Sequence, residues 1–130
     1  MLDEDKLAEL DQSIRRCRDC PLWETRINAV PGAGAMLRGI MLVGEAPGER
    51  EDRTGLPFQG RSGDFLDRFL EELGFVRDDF FITSAVKCRP PGNRDPRKSE
   101  LDACRRNWLE TQVAALDPAR IVLLGRIPKT

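Results

Sequence analysis

The sequence predicts an α/β fold built on a sheet of mostly parallel strands, and three observations predict it. Short apolar runs, Ile40–Val43, Phe80–Val86 and Ile121–Leu124, read as strands, and the glycine-bounded first of them as one buried on both faces. Segments with helical spacing alternate with those runs. The length of 130 residues suits one domain, expected to span 1–130, and is too short for two well-built cores.

Leu7, Leu10, Ile14 and Cys17 fall three or four apart, so residues 3–16 read as an amphipathic helix ending near Cys17-Arg-Asp-Cys20-Pro. Residues 21–39 hold Pro31, Gly32, Gly34 and Gly39 without a period and read as a long, anchored connection. The first strand runs directly into Glu45-Ala46-Pro47-Gly48, and the loop is expected to reach residue 60. Ser62 suits the N-cap of a helix carrying Phe65, Leu66, Phe69, Leu70 and Leu73, with Gly74 as its stop. After the second strand comes the polar, proline-rich segment 87–94. Asp95 and Pro96 then open a third helix with Leu101, Cys104 and Trp108 on one face, and Asp117-Pro118 ends it. In such a sheet, ligands bind where loops leave the carboxyl ends of the strands, which is where the loops at 44–60 and 87–95 lie.

The apolar fraction of 40% with 33% charged residues describes a globular chain and excludes wholesale disorder. A net charge of −1 gives no global sign of a polyanion partner, so any nucleic-acid surface is local. There are 0 histidines, which excludes Cys-His dyads, mixed Cys/His zinc sites and every mechanism with an imidazole base. No apolar run approaches the roughly 20 residues of a membrane span, and the acidic start Met1-Leu-Asp-Glu-Asp-Lys6 is unlike a signal peptide. A cytoplasmic monomer without membrane contact is the expectation, with its thiols reduced.

Cys17 and Cys20 sit two residues apart within one turn, and fifteen residues separate Cys88 from Cys104. Used together, the four thiolates suit a tetrahedral zinc or a 4Fe-4S cluster. In the competing reading, Cys17 and Cys20 form a metal or redox pair and the other two are small buried residues.

The strings Gly44-Glu-Ala-Pro-Gly-Glu-Arg-Glu-Asp52, Leu56-Pro-Phe-Gln-Gly-Arg-Ser-Gly63 and Val86-Lys-Cys-Arg-Pro-Pro-Gly-Asn-Arg94, preceded by the Cys17/Cys20 pair, resemble the iron-sulfur, type 4 uracil-DNA glycosylases from about residue 10 to 125. The resemblance implies a three-layer α/β/α sandwich that flips deoxyuridine out of single- or double-stranded DNA. It would hydrolyse the bond from uracil to the sugar, leaving an abasic site. Cys17, Cys20, Cys88 and Cys104 match the family's four 4Fe-4S ligands.

That chemistry suits the residues. Base loss passes through an oxocarbenium-like state, which needs a carboxylate or oriented water near the sugar. Glu45 is the implied catalytic residue, and Gly44, Ala46, Pro47 and Gly48 around it would bring backbone close to the base. Phe58, an aromatic in a polar loop, matches the family's stacking platform. The competing readings are a surface glutamate in a tight turn and a core phenylalanine. Seven basic against three acidic residues between 87 and 106 give a local basic stretch. The expected DNA contacts are Arg61, Lys87, Arg89, Asn93 and Arg94.

Ala46 stands where other types carry Asp, as the type 4 pattern expects. Two departures stand out, the first being Ser84 in the place of an Asn that reads the uracil edge. The family's last strand and His-Pro loop have no counterpart here, so the chain is expected to be C-terminally incomplete. A non-catalytic 4Fe-4S DNA-binding fragment of the same fold, and a thiolate-zinc domain, are the alternative readings.

Overall fold

The computed structural model of the chain describes residues 4–125. The N-terminal apolar periodicity forms helix α1 (Glu4–Arg15), which buries Ile14 completely. Asp3, the predicted first residue of that helix, and the C-terminal residues 126–130 lie outside the described residues. One 3-10 turn, Pro21–Glu24, follows Cys20.

Strand β1 (Ile40–Gly44) is central in a three-stranded sheet of order β2-β1-β3, with β2 at Phe80–Ser84, β3 at Arg120–Leu123 and both pairings parallel. Its unbroken apolar run follows from cover on both faces. Met41 and Val43 join Ala85 and Leu116, while Leu42 joins Leu66, Leu70 and Phe80 on the opposite side. Helix α3 (Arg61–Glu72) supplies Leu66 and Leu70; Leu7 of α1 and Leu116 of the last helix belong to the other layer. The expected α/β/α sandwich is therefore the architecture observed.

Several boundaries differ from the sequence expectation, each for a local reason. Within the expected loop 44–60, helix α2 (Glu49–Thr54) forms because Glu51 reaches back to accept the Gly48 N–H at 3.0 Å. Helix α3 starts at Arg61 with Gly60 at its cap, so Ser62 lies inside the first turn rather than capping it. Strand β2 stops at Ser84, although Ala85 and Val86 continue donating to the carbonyls of Gly44 and Glu45. Helix α4 (Lys98–Cys104) starts two residues beyond Pro96, and Glu100 in place of Asp95 accepts the N–H of the capping Arg97. A π-helical stretch, Arg105–Leu109, joins α4 to α5 (Glu110–Leu116), where Asp117 adopts a left-handed φ of 47° and ends the helix.

The long connection 21–39 is anchored along β2: Val30 N–H donates to Lys87 O at 2.7 Å, and Ala33 bridges Ile82. Gly34, at φ +120°, is required there, since a Cβ would fall 2.1 Å from Phe80 O. Strand β3 forms as expected, at the sheet edge, with Ile121, Val122 and Leu123 42–44% exposed. Among the described residues no helix is long and apolar enough to cross a membrane.

Candidate active site and metal centre

Register places Gly44 beside Ser84, so the carboxyl ends of β1 and β2 open side by side. A cavity of about 190 Å³ lies at that edge. Gly44, Glu45, Ala46, Pro47, Gly48, Phe58 and Ser84, all expected at the site from sequence, line it. Val30, Glu51, Pro57, Ser62 and Thr83 line it as well, and sequence reasoning missed them.

Phe58 holds a left-handed backbone, φ 51°, unusual for an aromatic residue. Its ring lies so close over Gly44 that a Cβ there would meet Phe58 Cζ at 2.8 Å. Only glycine at 44 lets the ring sit against the end of β1. Gly125 is constrained in the same way, since a Cβ on it would come 2.6 Å from Glu45 Oε1. The Glu45 carboxylate thus lies against the backbone that follows β3.

Glu51 ties two stretches of the cleft together. Its Oε1 accepts the Gly48 N–H, and its Oε2 accepts the N–H groups of Gln59 at 2.7 Å and Gly60 at 3.3 Å. Burial works to raise the Glu51 carboxyl, but the amides of Gln59, Gly60 and Gly48 outweigh it and hold it below the usual carboxylate range. Asp52, 1% exposed, accepts from the backbone of Ile27 and Asn28 and fixes the long connection to α2. The sequence signal for both was an acidic pair beside a tight turn, where carboxylates meet open backbone amides. The Ser84 hydroxyl, 7% exposed, donates to Val86 O at 2.6 Å, leaving only its lone pairs for another partner.

The expected DNA contacts divide. Arg61 is exposed next to the cleft-lining Ser62, Asn93 is exposed, and Arg89 is half-buried with its Nε donating to Asn93 Oδ1 at 2.7 Å. Lys87 is corrected: it is 1% exposed, and its ammonium donates to Thr83 Oγ1 at 2.6 Å and Ser84 O at 2.7 Å. Burial pulls it down to about 7, opposed by the nearby Cys104 thiol, and it cannot reach a phosphate. The Arg94 fork is engaged by Glu100, at 2.8 and 2.9 Å, and so braces the 88–97 loop on α4.

That bidentate bond, against the opposing effect of burial, holds the Glu100 carboxyl below its usual 4.5. Glu51 is lowered as well, so the stability both carboxylates contribute is complete above the ordinary range and is lost as pH falls through the lowered values. Glu100→Gln is expected to cost about 2 kcal/mol at neutral pH and to flatten the acid limb of stability. Urea denaturation at pH 7 and pH 3 checks both effects.

Cys17, Cys20, Cys88 and Cys104 line one further cavity, between the end of α1, the start of the 87–94 segment and the end of α4. Four donors point at three of the sulfurs: Trp108 Nε1 (3.0 Å) and Asp19 N–H (3.4 Å) at Cys17, the Arg26 guanidinium (3.2 Å) at Cys88, and Lys87 N–H (3.3 Å) at Cys104. Arg26 also holds the carbonyls of Cys17 and Arg15. Burial pushes the Cys20 and Cys88 thiols up and Cys104 to about 12, so any metal must displace protons there. Among the described residues, no three Cys, Asp or Glu side chains converge as a single-ion site. The four thiols line one cavity of only about 10 Å³, with sulfur-directed donors of the kind that stabilise thiolate ligands, and it is this donor set rather than an open space that suits a thiolate-bound group.

Similar proteins match nearly the whole length of this chain. A type-4 uracil-DNA glycosylase from Pyrobaculum aerophilum is 50% identical over 126 residues, 97% of this chain and 62% of that protein. Proteins of the same name from Sulfurisphaera tokodaii and Saccharolobus solfataricus are each 48% identical over 123 residues, 94% of this chain and 56% of theirs. The chain thus spans about three fifths of the length of these relatives. The family model for the uracil DNA glycosylase superfamily matches residues 31–130, a stretch that takes in all three strands and the cleft from Gly44 to Ser84. By that match, and by the sheet edge on which the cleft is built, the chain belongs to the uracil DNA glycosylase superfamily.

Proposed function

We propose that the cleft receives a uracil extruded from DNA and that the protein hydrolyses the N-glycosidic bond, releasing the base and leaving an abasic site. One observation carries this reading: the Phe58 ring, Glu45 and the Ser84 hydroxyl line a single cavity of about 190 Å³ at the ends of β1 and β2. That volume is below the roughly 300–1,000 Å³ of drug-sized pockets and suits a group the size of a single base. The names of the similar proteins support the substrate.

In this reading the base stacks on Phe58. Ser84 Oγ, its proton given to Val86 O, accepts from uracil N3–H. Cytosine presents a lone pair at N3, which the hydroxyl could meet only by giving up its bond to Val86 O. The Glu45 carboxylate offsets the positive charge that grows on the sugar and orients the water that attacks C1′ as the bond to N1 breaks. Arg61, Arg89 and Asn93 face the DNA backbone. Cys17, Cys20, Cys88 and Cys104 would hold a 4Fe-4S cluster, and through these four thiolates the end of α1, the 87–94 segment and α4 would be tied together. The protein acts as a cytoplasmic monomer on single- or double-stranded DNA.

The cluster-loaded protein is expected to produce alkali-labile breaks in an oligonucleotide at uracil and none at cytosine or thymine. Absence of both breaks and uracil-selective binding would sink the reading. Ser84→Ala is expected to slow uracil release about tenfold, the worth of one hydrogen bond, and to narrow the uracil-over-cytosine preference, read by single-turnover assays.

A further inference from the structure

Phe58 occupies a backbone conformation that L side chains rarely adopt, in a turn outside any helix or strand. Such a conformation persists only when its surroundings impose it. On one side Glu51 takes the N–H groups of Gln59 and Gly60. On the other side stands Arg77, distant in sequence, in the 3-10 turn Arg77–Asp79 that leads into β2. Its Nη1 donates to Pro57 O at 2.9 Å, its Nη2 donates to Phe58 O and, at 3.4 Å, to Gly63 O, and its Nε is paired with Asp67 of α3. Gly63 is part of the same contact, because a Cβ there would fall 2.0 Å from Phe58 O and 3.1 Å from Arg77 Nη2.

We propose that Arg77 is a positioning residue for the cleft: its guanidinium fork holds the Pro57 and Phe58 carbonyls and thereby aims the Phe58 ring across Gly44. The proposal rests on the base-binding reading only for its consequence, uracil affinity; the clamp itself concerns the free protein. A planar fork with fixed donor directions can hold two successive carbonyls and a carboxylate at once, which a lysine ammonium on its flexible stem does not reproduce. Arg77 does not line the cleft, so its effect on a bound base passes through the Phe58 turn.

The test uses cluster-loaded protein carrying 4-fluorophenylalanine, with the Phe58 ¹⁹F resonance assigned through Phe58→Leu and free uracil as the probe. In the unsubstituted protein, uracil is expected to shift that resonance. In Arg77→Met the Phe58 resonance should move or broaden while those of Phe75 and Phe80 stay, and the uracil Kd should rise about tenfold, the scale of one lost base–aromatic stack. Arg77→Lys should fall between the two. An unchanged Phe58 resonance in Arg77→Met overturns the proposal. If that variant fails to fold, Arg77→Lys decides in the same way, displacement supporting the clamp and an unmoved signal ending it. Should uracil leave the unsubstituted protein's Phe58 signal untouched, the base-binding reading fails, and the ligand-free spectra of the Arg77 variants still decide the clamp.

Discussion

Cys104→Ala is expected to lose the brown absorption of the proposed 4Fe-4S cluster and, with it, several kcal/mol of stability in the reconstituted protein. Cys104 is buried at the C-terminal end of α4, with its sulfur accepting the Lys87 N–H, so it joins that helix to the strand-exit segment carrying Cys88. If it were only a small core residue, replacement by alanine would remove one sulfur's contacts and cost about 1 kcal/mol, with or without metal. If it is a ligand, the cost appears only in the loaded protein. Structural metal sites can supply on the order of 10 kcal/mol, comparable to the roughly 5–15 kcal/mol net stability of a domain. Thermal unfolding of loaded and apo forms of both proteins separates these cases, and an equal shift in the two forms would refute ligation. The raised thiols add a sign: binding must release protons, so reconstitution should be more complete at pH 8.5 than at pH 6.5.

Period and punctuation made most of the fold legible. The glycine-bounded run at 40–44 could only be a strand covered on both faces, and Met41, Leu42 and Val43 are indeed shared between two layers. Strand β3 has the same apolar character but takes the sheet edge, a position that an apolar run does not by itself specify. Helix α2 was hidden because its six residues, Glu49–Thr54, carry no apolar period; its start depends on one side chain, Glu51, returning to the backbone.

At the site, residues lying within one motif were readable and partners brought in from other elements were not. Glu45, Phe58 and Ser84 stand in or beside recognisable strings and meet in one cavity. Lys87 shows the limit of composition. Its neighbours Arg89 and Arg94 suggested a basic surface, yet the bend that follows β2 turns Lys87 inward onto Thr83 and Ser84, where it braces the end of β2. Arg26 and Arg77 act through contacts with residues far from them in sequence, which no local spacing announces.

Glu45→Gln is expected to reduce uracil release by about 10²- to 10⁴-fold, the range for losing a positioned carboxylate in the transition state, while leaving stability and uracil binding nearly unchanged. The side chain lines the cleft and lies against Gly125, so the near-isosteric amide keeps its packing while losing the charge and one acceptor oxygen. A carboxylate that stabilises a cationic sugar has nothing to act on in the ground state, where the nucleoside is neutral. The effect should therefore fall on the rate constant at saturating substrate and leave the dissociation constant little changed. Gly125→Ala reaches the same group by another route: it forces a side chain into a φ of +92° and brings a Cβ to 2.6 Å from the Glu45 carboxylate, so it should lower the same rate constant by displacing an intact charge. Single-turnover kinetics on a uracil oligonucleotide, paired with equilibrium binding, separate these effects. A Glu45→Gln protein that cleaves at the unsubstituted rate would remove Glu45 from the chemistry and return it to the role of a turn residue.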